Sequence, residues 1–120
     1  MQLLKIRKDL VGLVGGIEEN KAELGIIVSY ADEFQRRLEI DDAHKMLIED
    51  LRELDASAAL DTTERIAFDR AKAELLPEYQ RRRIEAQLAQ SRARVQHTQM
   101  RIVQSRMEIC AFQSLLKNED

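Results

Sequence analysis

Asp41 and His44 stand three residues apart in the stretch DDAHKMLIEDLRE, and Glu49, Asp50 and Glu53 follow them. Residues 41–53 therefore hold the side-chain types that a metal site or an acid–base pair requires. A spacing of three places two side chains on one face of a helix. A carboxylate-bridged metal pair in a helical bundle, however, takes Glu-x-x-His motifs from two helices, with further glutamates projecting inward. The one other histidine, His97, lies among basic residues with no acid close by in sequence. The cluster reads as a solvated acidic face with His44 at its edge, and no metal ligands are assigned.

The remaining reactive groups are few. Cys110 is the single cysteine, so no intramolecular disulfide can form, and a reducing cytoplasmic setting is expected. It falls in an apolar stripe beside Ala111 and Phe112, which favours a buried thiol packing as a small hydrophobe. The glycines of LVGLVGG lack the spacing and the lysine of a phosphate-cradling loop. No nucleophile, base and acid converge, so no catalytic residue, no cofactor and no enzymatic activity are expected.

The arginines are more informative. Residues 91–106, SRARVQHTQMRIVQSR, contain four arginines, three glutamines and a histidine but no acid. From Tyr79 to Met107 Glu85 is the one acid among seven arginines, whereas from Glu18 to Glu78 acids outnumber bases about two to one. The chain has an acidic arm and a basic arm within a net charge of −3. Arg92, Gln99 and Arg106 share one helical column and Arg94 and Arg101 another. Columns of this kind flank a seam and select its partner. In an antiparallel hairpin they would face Glu33, Glu39, Asp42, Glu49, Asp50 and Glu53 of the same molecule. A competing reading sets Arg81, Arg82, Arg83, Arg92, Arg94, Arg101 and Arg106 against phosphate as a nucleic-acid face. The acidic pI and the scarcity of aromatics for base stacking weigh against it.

These residues must be carried by helices. A chain with 34% charged and 4% aromatic residues and a single proline suits long helices joined by narrow aliphatic seams. Leu3, Ile6, Leu10, Leu13, Ile17, Asn20, Leu24, Ile27, Ala31, Phe34 and Leu38 step alternately by three and four, which is a heptad seam. Asn20 at a seam position is either a residue that fixes register or oligomer state or a solvated residue at a kink. Gly12, Gly15, Gly16 and Gly25 fall off the seam, and each costs a helix about 1 kcal/mol relative to alanine. After Leu38 the pattern slips to Ile40, His44, Leu47, Leu51, Leu54 and Ala58. A local irregularity in a continuous helix is expected there.

Small and polar residues in DASAALDTTERIAF form the turn at about 56–62, with Asp61 and Glu64 in a capping-box relation. Arm one then covers about 2–57 and arm two about 62–117, with a kink or break near Pro77, since an internal proline removes a helical hydrogen bond. Beyond Pro77, Leu88, Val95, Ile102, Ile109 and Leu116 recur every seven residues as the intramolecular seam, paired with Ile84, Ser91, Thr98, Ser105 and Phe112. A second stripe, Ala86, Ala89, Ala93, Met100, Val103, Met107 and Cys110, lies roughly 100 to 140° around the same helix by the 3.6-residue period. Met100, Val103, Met107 and Cys110 are assigned to a partner or dimer seam.

The expected fold is all-α: a single domain over residues 1–120, folded as a long antiparallel helical hairpin that dimerises into a four-helix bundle, the alternative being one chain folded into three or four shorter helices broken near Asp41 and Pro77. The expected function is that of a non-enzymatic adaptor that self-associates and binds a partner protein. The opening segment MQLLKIRKDLVGLVGG is too short and too interrupted to span a bilayer, and no membrane association is expected.

Overall fold

A computed structural model describes residues 2–119, so Met1 and Asp120, the ends of the domain expected over 1–120, lie outside the described residues. Among the described residues there are three helices and no strand: α1 (Gln2–Ala56), α2 (Thr62–Glu74) and α3 (Glu78–Glu119). The helices pack as two units, one combining α1 up to Tyr30 with α3 from Gln90 onward, the other spanning Ala31–Ala89.

In the first unit the pairing is antiparallel. Glu23 meets Arg94, while Asp9 and Leu13 line a groove with Glu108 and Phe112. The heptad seam of α1 supplies the interface: Ile17, Asn20 and Ile27 are buried, and Leu3, Ile6, Leu10, Leu13 and Leu24 are half-buried. From α3, Thr98 and Ile102 are buried and Val95, Ile109, Phe112 and Leu116 half-buried. Asn20 and Thr98 put polar side chains into an otherwise aliphatic seam. Such residues cost stability and restrict the register in which two helices can pack.

In the second unit α1 runs antiparallel to α2 and to the start of α3. Leu38, Ile84 and Leu88 form one buried cluster, with Ala31, Phe34 and Leu76 packed against it. Ile48, Phe68 and Ala71 form another, with Leu47, Leu51, Leu60 and Leu75 around them. Lys72 places its ammonium 4.8 Å from the centre of the Phe68 ring, so this buried aromatic is covered by an aliphatic stem and a cation.

After Leu38 the expected shifted seam holds in part, with His44, Leu47 and Leu51 half-buried, but the original seam also runs on. It continues by a step of three to Asp41, which is 1% exposed, then through the half-buried Lys45 to the buried Ile48 and the half-buried Leu51 and Asp55. Ile40, expected inside, is 50% exposed, and Leu54 and Ala58 also face outward. Asp41 takes the seam position because of what lies opposite. Pro77 interrupts the second arm, α2 ends with Leu75 at ψ 135°, and α3 restarts at Glu78. That break leaves the Leu76 amide without a helical acceptor, and Asp41 Oδ1 accepts it at 2.8 Å.

The turn between α1 and α2 is closed by backbone. Ala58 N–H donates to the Asp55 carbonyl and Ala59 N–H to the Leu54 carbonyl, the double closure that ends a helix through a left-handed residue. Ala58 occupies that position with φ 54°. The next helix opens on the Asp61/Glu64 capping box: the Glu64 amide donates to Asp61 Oδ1 at 2.7 Å, and the Asp61 amide donates to Glu64 Oε1 at 3.1 Å.

Candidate interaction surface

The first unit carries a face that its own packing leaves uncovered. With Val95, Ile102, Ile109 and Leu116 turned inward, the 3.6-residue period turns the second stripe of α3 outward. Met100 is 63%, Val103 53% and Met107 67% exposed, and Ala93 and Cys110 are exposed beside them. Cys110 is therefore not the buried thiol that its apolar neighbours suggested. Those neighbours belong to the same outward face or lie behind it.

Val103 and Arg106 are shared by two shallow depressions along this face. One is completed by Met107 and Cys110, the other by Lys21, Leu24, Gln99 and Ile102. Apolar side chains form the floor and Lys21 and Arg106 the rim, with no acid in either lining. Neither cation pairs with a carboxylate among the described residues.

The second unit presents a face of opposite sign. Met46 is 65% and Leu54 37% exposed on α1, and between them Glu49, Asp50 and Glu53 point to solvent. None of these three acids pairs with a cation among the described residues. The acidic stretch therefore divides by depth, with Asp41 buried and the later acids outside.

Asp41 anchors a polar knot instead of a metal site. Arg81 Nη1 lies 2.6 Å from Asp41 Oδ2 and 2.7 Å from Asp42 Oδ1, its Nε lies 2.8 Å from Glu85 Oε1, and Lys45 Nζ is 3.5 Å from Asp41 Oδ2. Burial pushes the Asp41 carboxyl up, but the Leu76 amide, Arg81 and Lys45 together outweigh it and hold the group below its ordinary 3.8. The hydrogen bonds to Asp41 and Asp42 hold the Arg81 guanidinium more firmly charged still. His44 turns away from Asp41, its Nε2 3.3 Å from Glu74 Oε2. No group of three or more potential metal ligands occurs among the described residues.

Three of the arginines that the competing reading sets against phosphate already pair with carboxylates of their own chain. Arg81 is spent in the knot, Arg82 pairs with Glu78 at 3.1 Å, and Arg94 reaches Glu23 at 3.4 Å. Arg83 lines a mixed-charge groove with Arg37, Glu74 and Gln80. Arg92, Arg101 and Arg106 are exposed on the first unit. The acids that α1 contributes to these pairs, Glu23, Asp41 and Asp42, overlap the expected facing set only at Asp42.

Sequence reasoning missed Asp41 as a structural centre, although a signal was present. A step of three from Leu38 lands on it, and an antiparallel register brings it to the break at Pro77. No helix is long and apolar enough to cross a membrane among the described residues. No family model, no curated protein and no solved structure matches this chain.

Proposed function

We propose that the chain is a non-enzymatic helical interaction protein that self-associates and holds a partner protein through the face of α3 left over from its own packing. One observation carries the reading: Met100, Val103, Met107 and Cys110 stay exposed in register while Leu88, Ile102 and their repeats pack inward. A soluble helix gains nothing from a second apolar stripe that faces water, and contiguous exposed apolar surface of this kind marks contact sites. Methionines suit such a surface because their flexible thioethers adapt to imperfect shapes. Two chains side by side would complete a four-helix bundle, with each such stripe covered. The exposed thiol fits a reducing, cytoplasmic setting.

The nucleic-acid reading is weaker on the same grounds. Arg81, Arg82 and Arg94 already face carboxylates of their own chain, and little beyond Arg83, Arg101 and Arg106 is left to form a continuous phosphate track.

The test is solution mass by light scattering across a concentration series, with V103E/M107E as the comparison. Burying each side chain is worth about 1.5–3 kcal/mol, so two glutamates there should reduce the wild-type assembly to single chains of unchanged helicity. An unchanged mass for the double variant would refute the assignment of this face.

A further inference from the structure

We infer that the exposed α3 face of the first unit is covered by the acidic α1 face of the second unit of another copy of this chain. The inference rests on the self-association reading and names the two surfaces that meet.

The rim of the α3 face determines what can cover it. Lys21, Gln99 and Arg106 line it together with Leu24, Ile102 and Val103, and neither depression on this face has an acid in its lining. If the stripe paired with itself, the Lys21 and Arg106 side chains of two copies would meet across depressions whose linings hold no acid, and like charges placed directly opposite are destabilising. The occupant must therefore bring apolar side chains bordered by carboxylates.

The α1 face spanning Met46–Leu54 has that chemistry. Met46 and Leu54 are its exposed apolar ends, and Glu49, Asp50 and Glu53 stand between them without cations of their own. Their spacings of three, four, seven and eight put all five on one helical face about 12 Å long at 1.5 Å per residue. The Met100–Met107 stretch on α3 covers about 10 Å by the same rise. The two faces match in length, each carries exposed apolar side chains, and their charges are opposite. The carboxylates that α1 leaves unpaired in one copy are the counter-charges that Lys21 and Arg106 lack in the other.

Charge exchange between the two faces tests the pairing. One variant carries E49K/D50K/E53K, and these lysines fall near the C-terminal end of α1, where cations favour the helix. A second variant carries K21E/R106E. Each alone should self-associate about tenfold or more weakly than wild type, and an equimolar mixture should recover association, because each mutant then meets a face of opposite sign. Recovery on mixing also shows that neither variant is unfolded. Wild-type association should weaken with added salt. If wild type assembles and V103E/M107E dissociates it while both charge variants behave as wild type, the proposed pairing is overturned and the self-association reading stands. If wild type keeps the mass of one chain at every concentration, both fall, and an acidic helix of a different protein becomes the occupant to seek.

Discussion

Asp41 shows how one polar side chain can hold a packing layer together. A carboxylate that is 1% exposed would be costly alone, yet it accepts from the Leu76 amide and from Arg81 and lies within reach of Lys45. Replacing it with alanine leaves the Leu76 amide and much of Arg81 without their acceptor, and should cost about 3 kcal/mol in chemical denaturation. The same residue gives the acid response a definite sign. Its folded pKa is lowered, so its contribution is fully present above 3.8 and is lost as pH falls through the depressed folded value. Thermal unfolding followed from pH 7 to pH 2 should therefore show D41N less stable than wild type at neutral pH, with the gap closing in strong acid. A constant gap would show that the charge of Asp41 is not what stabilises the break.

The elements are ordinary helices whose ends are specified locally. The Asp61/Glu64 box opens α2, and the double backbone closure at Leu54–Ala59 ends α1. One residue in that turn works against its own backbone. Ala58 sits at φ 54°, a conformation that costs a residue with a Cβ about 1–2 kcal/mol and costs glycine none. A58G should therefore stabilise the chain by about 0.5–1 kcal/mol, after the greater unfolded-state freedom of glycine is subtracted. Within α1 the converse holds. A Cβ built at Gly15 or Gly25 meets nothing within 4 Å, so G15A/G25A should stabilise α1 by about 1 kcal/mol per site. Chemical denaturation of the three changes, singly and together, reads both effects. Loss of stability at Gly15 or Gly25 would mean that these positions touch something in the assembled state.

At the scale of the whole molecule the question is what covers the surplus apolar face. An assembly that forms only from folded chains is favoured by mass action, so the melting temperature of wild type should rise with protein concentration. V103E/M107E should melt at a temperature independent of concentration. Cys110 supplies a second readout, because its thiol lies on the same face. Alkylation should be fast in dilute solution and slow several-fold on assembly, and equal rates at all concentrations would place the contact elsewhere.

The all-α class, the α1 seam from Leu3 to Leu38 and the α3 seam from Leu88 to Leu116 were legible from periodicity, because burial on a helix follows 3.6-residue geometry and aliphatic side chains announce it. The capping box was equally local, as four consecutive residues carry all of it. Beyond Leu38 the seam was legible only at His44, Leu47 and Leu51. Its next member is an aspartate, and a carboxylate enters a core only when a distant amide and guanidinium converge on it, here from residues 35 and 40 positions away. The exposure of Cys110 and the pairing of Arg81 and Arg94 belong to the same kind of fact. Each depends on which carboxylate or apolar face the other arm brings near, and that is decided by tertiary packing, since no local pattern carries the register between the arms.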